Sequence, residues 1–215
     1  MKQVAAFTGI FACLFLSACS NGELHEPLPQ SGDRPTPLHY GLKVSTDPAQ
    51  NPIDPPERFA GYHAATDFEV SADELEKDVP VFAICTGKIT YSAFAEGYGG
   101  LVTQQCKIQG EKVTVLYGHL SLSPLPKKGS TVKSGVQLGV LAPARTHDSD
   151  GNRKHLHLGI VHGWSTAEIR GYVQTEEELK KFVDPKSILP EGFFSPITPN
   201  MVPYWKEVAS GSELE

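Results

Sequence analysis

Clustered basic residues, long apolar runs and spare cysteines are all scarce in this chain, and each shortage excludes a class of function. Formal net charge is −6 over 215 residues, and the 19 lysines and arginines form no basic patch. Nucleic-acid binding therefore lacks support, because phosphate recognition needs gathered positive charge. The apolar run from Val4 to Leu16 falls short of the ~20 residues that a membrane-spanning helix requires. Only 4 cysteines are present, and two isolated ones in the body of the chain do not make a thiolate metal site. No lysine motif sits at a hairpin tip, so a swinging-arm carrier is excluded. Asp148-Ser-Asp150-Gly-Asn152 begins like a calcium loop, but its glycine comes early and no glutamate closes it. A polar turn is expected there.

The beginning of the chain carries an address. Lys2 precedes the apolar run, and Leu16-Ser17-Ala18-Cys19 follows it. This is the pattern of a secretory signal with small residues at its cleavage site, and Cys13 lies inside it. Leu-Ser-Ala-Cys resembles a bacterial lipobox, which implies that residues 1–18 are removed and that Cys19 carries lipid. Acyl chains contribute about 0.8 kcal/mol per buried methylene, so several make a stable membrane anchor. Ser20 after the cysteine resembles the outer-membrane type, facing the periplasm. Residues 19–57 are rich in proline, from Pro27 to Pro56, with almost no apolar periodicity. An extended tether is expected over that stretch.

Residues 58–190 read differently. Short strand-like runs alternate with glycine turns, the pattern of an all-β domain. Pro80–Cys85 with Gly87–Phe94 and then Leu101–Ile108 are neighbouring strands around Gly97-Tyr98-Gly99-Gly100. Cys85 and Cys106 on those runs are expected to form a disulfide, as suits an oxidising compartment. Closing such a loop contributes on the order of 3 kcal/mol. Thr175–Phe182 has a capping residue, early acids and late lysines, so a short helix is predicted, ended by Asp184-Pro185. Residues 191–215 form a C-terminal tail.

Five side chains from three separate stretches carry the chemistry. His63 and Asp67 lie in Gly-Tyr-His-Ala-Ala-Thr-Asp-Phe, His119 in Leu-Tyr-Gly-His-Leu-Ser, and His155 and His157 in Lys-His-Leu-His-Leu-Gly. A catalytic zinc takes three protein ligands and leaves its fourth position open. This set fills three positions and leaves two imidazoles for proton transfer. The period-two pattern over 154–160 predicts a strand with Leu156, Leu158 and Ile160 toward the core. His155 and His157 then share the opposite, exposed surface. The even spacing of His63 and Asp67 fits a loop running into a strand. Residues 112–118 form another strand-like run ending at His119. Tyr98 and Tyr117 are possible further donors but are expected to pack. His25 and His39 are expected to be solvated, and nothing requires His147 or His162.

The three pieces, in this order, resemble the lysostaphin-type (LytM-like) zinc metallopeptidases that cut peptidoglycan peptides. That family carries His-x3-Asp, Tyr-x-His-Leu and His-x-His, and the resemblance spans roughly residues 58 to 190. It implies an antiparallel sheet or sandwich of the duplicated hybrid-motif type, Zn2+ on His63, Asp67 and His157, and a catalytic pair of His119 and His155. Gly129–Gly139 looks like a hairpin that this family shares with biotinyl carriers. One departure is visible: Ala65 stands where the family usually has glycine. The function so implied is a zinc endopeptidase acting on stem or cross-bridge peptides. The alternative is a non-hydrolytic wall-binding or amidase-activating lipoprotein. Retention of both His119 and His155 speaks against it, since a relic has no use for the catalytic pair. The scissile bond and the oligomeric state stay open at this level.

Overall fold

A computed structural model describes residues 24–194; the leader, Cys19 and the chain beyond residue 194 lie outside the described residues. The centre is a meander of three long antiparallel strands, β5 (Gly87–Ala95), β6 (Gly99–Ile108) and β7 (Glu111–Leu120). Gln109 and Gly110 join β6 to β7, both at positive φ (52° and 88°). A two-residue turn of that hand matches the twist of the strands it connects. Two further strands extend the sheet on the β7 side: β10 (His155–His162), then β3 (Ala65–Glu69). Short β8 (Thr131–Val132) adds to β5 at the other edge, completing an order β3-β10-β7-β6-β5-β8.

Alternation along these strands divides the interior in two. Leu156, Leu158 and Ile160 of β10 join Phe68, Val113, Val115 and Tyr117 in the main core, all with 2% exposure or less. Each aliphatic side chain so buried contributes about 1.5–3 kcal/mol. β4 (Pro80–Phe82) and β9 (Gln137–Val140) pair with one another and close this core from below. Gly129–Gly139 is therefore not a self-paired hairpin, because β8 pairs with β5 and β9 with β4. The opposite face of the sheet carries a smaller cluster around Leu101, Leu116, Val161 and Phe182, and it is here that the histidines emerge. Cys85 and Cys106 are bonded, as expected, tying the entry of β5 to β6.

The proline-rich stretch departs from the expected tether. From Leu24 onward it lies on the domain, with Leu28, Leu38 and Ile53 at 3% exposure or less. It covers the outer edge of β3: Asp67 N–H donates to the Leu38 carbonyl and Glu69 N–H to the Pro35 carbonyl. An irregular segment that offers carbonyls and few N–H groups suits an exposed strand edge, which must otherwise stay open. Absence of periodicity signalled irregular backbone here, not a solvated chain. Within it β1 (Lys43–Val44) pairs with β2 (Gly61–His63), which pairs in turn with β11 (Tyr172–Val173). His25 and His39 are half-buried rather than free in solvent, the former packed on Phe82.

After β11 come two one-turn helices. The first, α1 (Glu176–Leu179), is shorter than predicted but capped as predicted, by Thr175 and Glu178 in a reciprocal box. Asp184-Pro185 does more than end it. Asp184 caps a second helix, α2 (Pro185–Ile188), with proline at the first position, where its missing N–H costs nothing.

Candidate metal centre and active site

Strand register places the site. On β10, His157 stands opposite Asp67 of β3 on one side and Gly118 of β7 on the other. His155 stands opposite Glu69. His63 ends β2, a single residue, Ala64, separates it from β3, and Ala64 N–H donates to the Gly171 carbonyl at the break. Ala65 starts β3 without positive φ, so alanine replaces the family's glycine there without backbone strain. Four residues from three strands thus converge above the small apolar cluster.

His119 reaches the site by a different device. Simple alternation from Val113, Val115 and Tyr117 would put it in the main core. Instead the register slips between Gly100↔Leu120 and Val102↔Tyr117, leaving Gly118 and His119 opposite Leu101. His119 takes a positive φ of 64°. Such a bulge re-aims the side chains that follow it. His119 turns to the site face and Leu120 joins the main core. Gly118 serves the same place: a Cβ there would meet the Tyr98 ring at 2.6 Å and His157 Cβ at 3.2 Å. Only glycine lets Tyr98 lie over this part of β7.

His63 Nε2, Asp67 Oδ1 and His157 Nδ1 form a near-equilateral triangle, with sides of 3.3, 3.0 and 3.3 Å. Nitrogen and oxygen ligands about 2.0–2.2 Å from a tetrahedral zinc lie about 3.3–3.6 Å apart, so the triangle has nearly the edge length such an ion needs. Asp67 Oδ1 is buried and accepts no hydrogen bond among the described residues. A buried carboxylate oxygen left without a donor is costly unless a cation serves it. The residues present fit a divalent metal.

The second oxygen of Asp67 is held by Arg153. Oδ2 accepts from Arg153 Nη2 at 2.8 Å and lies 3.2 Å from His155 Nε2. Burial alone would raise the Asp67 pKa, but the flanking His63 and His155 imidazoles outweigh it and hold this carboxyl well below the usual range. Burial pushes His119 well down, aided by His155 and His157. His157 is lowered by burial too, with Asp67 partly opposing. Both rings are therefore neutral at neutral pH, the form that binds metal or accepts a proton. His119 Nδ1–H donates to the Tyr98 carbonyl at 2.8 Å, and His155 Nδ1–H donates to the Arg153 carbonyl at 3.0 Å. The His119 and His155 rings lie 4.3 Å apart.

All five predicted residues meet, but not on an exposed surface: each is 5% exposed or less. Tyr98 and the 169–174 segment cover them, leaving a cavity of about 330 Å³ beside His119, His155 and His157. The Tyr98 hydroxyl is committed to the Ile169 carbonyl at 2.6 Å. Tyr117 lies away from the site, its hydroxyl between Ile84 N–H and Gln104. His147 and His162 are exposed and outside the cavity.

Sequence reasoning missed Tyr172, Arg153, Glu69 and Glu57. The Tyr172 ring lies tilted 4.9 Å from that of His63 and lines the cavity, and its buried hydroxyl has no partner among the described residues. Arg153 donates to Glu69 at 2.6 Å, to Asp67 at 2.8 Å and to Glu57 at 3.1 Å. Period-two spacing pointed at two of these, since Glu69 follows Asp67 by two and Arg153 precedes His155 by two.

Residues 61–169, just over half of the chain, match peptidase family M23. The chain belongs to peptidase family M23. The M23 match takes in His63, Asp67, His119, His155 and His157, together with Arg153 and Glu69. Among solved structures, the catalytic domain of the antimicrobial peptidase lysostaphin from Staphylococcus simulans is similar at 20% identity and a TM-score of 0.51, over 77% of this chain and 97% of that one. The catalytic domain of an alanine-to-histidine mutant of the prophage-encoded M23 protein EnpA from Enterococcus faecalis aligns at 18% identity and a TM-score of 0.44, over 77% of this chain and 94% of that one. The lysostaphin likeness supports the M23 fold. No curated protein matches the sequence.

Proposed function

We propose that this M23 peptidase is a zinc endopeptidase that hydrolyses peptidoglycan peptides, held at the membrane by lipid on Cys19. The observation that carries the metal part is the triangle of His63 Nε2, Asp67 Oδ1 and His157 Nδ1, all buried and close to the edge length of a tetrahedral site. When bound, zinc supplies Lewis-acid activation of water and of the scissile carbonyl. The wall substrate and the envelope location rest on the family resemblance and on the Leu-Ser-Ala-Cys leader.

The chain's own groups divide the remaining work. Because the Arg153 carbonyl takes the Nδ1–H of His155, Nε2 is the nitrogen that exchanges protons. We assign His155 the role of taking the proton from the attacking water and passing it to the leaving amine. His119, fixed in the same tautomer by the Tyr98 carbonyl, presents Nε2 to the same space and holds the water in line. Tyr172 is the donor left free. Its hydroxyl lacks a partner, whereas that of Tyr98 has one, so Tyr172 is assigned to the oxyanion that develops on the scissile carbonyl. The cavity wall supplies Phe59, Tyr98 and Gly171 as packing for a peptide.

The test is digestion of purified sacculi by the protein, with and without chelator, beside His155→Ala. Muropeptides read by mass spectrometry should appear with wild type and vanish in both controls, and their masses would name the bond. Zinc-loaded, folded wild type that leaves sacculi intact would overturn the hydrolase reading in favour of a wall-binding role.

A further inference from the structure

Arg153 sits in an unusual charge environment. Its guanidinium, 8% exposed, contacts three carboxylates: Asp67, Glu69 and Glu57, none more than 7% exposed. One guanidinium thus faces three carboxyl groups. A buried cluster of that composition is short of positive partners, a state that burial penalises heavily. A divalent cation on His63, Asp67 and His157 would supply the missing positive charge. No lysine among the described residues forms an ion pair with the three acids; Lys154, next to Arg153 in sequence, turns away to the carbonyls of Glu74, Leu75 and Lys77.

The geometry also divides Asp67 between two tasks. Arg153 Nη2 holds Oδ2 at 2.8 Å, while Oδ1 faces His63 and His157 with no hydrogen bond. A carboxylate gripped by one oxygen offers the other to metal and cannot swing to bind with both. The same residue fixes His155, because its carbonyl accepts the Nδ1–H. Glu69 in turn holds Arg153 at both Nε and Nη2, and Glu57 holds Nη1.

We propose that Arg153 is a positioning residue that fixes Asp67 as a one-oxygen metal ligand, and that Glu57 and Glu69, both held on its guanidinium, favour a divalent cation at the site. This rests on the metal reading given under Proposed function. Outer partners of metal ligands of this kind are commonly worth 10–100-fold in metal affinity.

The test uses the full-length chain in detergent, titrated with zinc against a chromophoric chelator, and the cobalt-substituted protein for its visible spectrum. Arg153→Lys keeps a positive charge but loses the fork. It should weaken zinc binding about 10–100-fold and alter the cobalt spectrum, as Asp67 gains freedom to bind through both oxygens. Glu57→Gln keeps shape and removes one negative charge. It should weaken zinc about 10-fold, comparable with the lower end of such effects, yet raise the melting temperature of the metal-free protein. A merely structural role would lower stability with and without metal equally and leave affinity and spectrum unchanged; that result overturns the proposal. Should Arg153→Lys fail to fold, Glu57→Gln decides alone through its opposite signs. Wild type that binds no divalent ion, with His157→Ala no different, would overturn the metal reading and this proposal together. Tight wild-type binding that neither variant disturbs would overturn this proposal only.

Discussion

Arg34 and Arg153 are both 8% exposed at the side chain, and each grips a glutamate through two nitrogens, yet they belong to different kinds of structure. Arg34 meets one carboxylate, Glu74, and two carbonyls, those of Pro29 and Glu69. One charge faces one charge, and the remaining donors find neutral acceptors. That arrangement is complete in itself and clamps the 24–57 segment to the turn at Ser71–Lys77. Arg153 meets three carboxylates, and burial would have lowered its pKa had Glu69, Asp67 and Glu57 not outweighed it. The Arg34 clamp pairs one charge with one, whereas Arg153 faces three carboxylates beside the proposed metal site. Stability and function therefore separate by charge count, although both arginines lie in the same 24–194 body. Glu69 joins them, giving its carbonyl to Arg34 and its carboxylate to Arg153.

The largest way to break that comparison is to delete each arginine. Arg153→Met should cost about 3–5 kcal/mol in denaturant unfolding, because it strands buried carboxylates. Arg34→Met should cost about 2 kcal/mol, since Glu74 is partly exposed and rehydrates. Equal losses would show that the charge surplus is immaterial. Metal removal is next. Zinc at a thousand times its dissociation constant should stabilise wild type by about 4 kcal/mol over the chelated protein. Hydrogen exchange should then slow at the His155 and His157 amides and stay unchanged at the Ser71–Lys77 turn.

A smaller effect tests the two tyrosines, one occupied and one free. Tyr172→Phe should lower kcat about 10²-fold with KM and melting temperature nearly unchanged, as for loss of a single oxyanion donor. Acid gives the mildest contrast. Burial alone would raise the pKa of Glu74, but Arg34 and Ser71 outweigh it and hold it below its ordinary value. A depressed carboxylate pKa stabilises above the unfolded value, about 4.3, and the contribution is lost as pH falls through the folded one. Protection of the Glu69 amide, bonded to Pro35, measured relative to its intrinsic exchange rate, should thus be flat from pH 7 to 5 and fall below about pH 4. Glu74→Gln should remove that acid-dependent step; its persistence would place the clamp elsewhere.

Sequence alone determined the strands and the residue types of the site. Period-two alternation set Leu156, Leu158 and Ile160 against His155 and His157, and an even spacing set His63 with Asp67, because backbone pleating acts locally. The all-β class, the disulfide and the capped helix followed from equally local patterns. What tertiary structure decided were relations between segments. The bulge at Gly118–His119 reversed the face that alternation assigned to His119, and only pairing with β6 reveals it. Proline density in 24–57 marked irregular backbone but not its burial, since its partner, the open edge of β3, lies in another stretch. Glu57 and Tyr172 carry no signal of their own, and the spacing that points at Arg153 gives no role, for the meaning of all three is the count of charges and acceptors around them. That count exists only once β3, β10, β11 and the 24–57 segment are brought together, because electrostatic energy depends on distance in space and burial, not on distance along the chain.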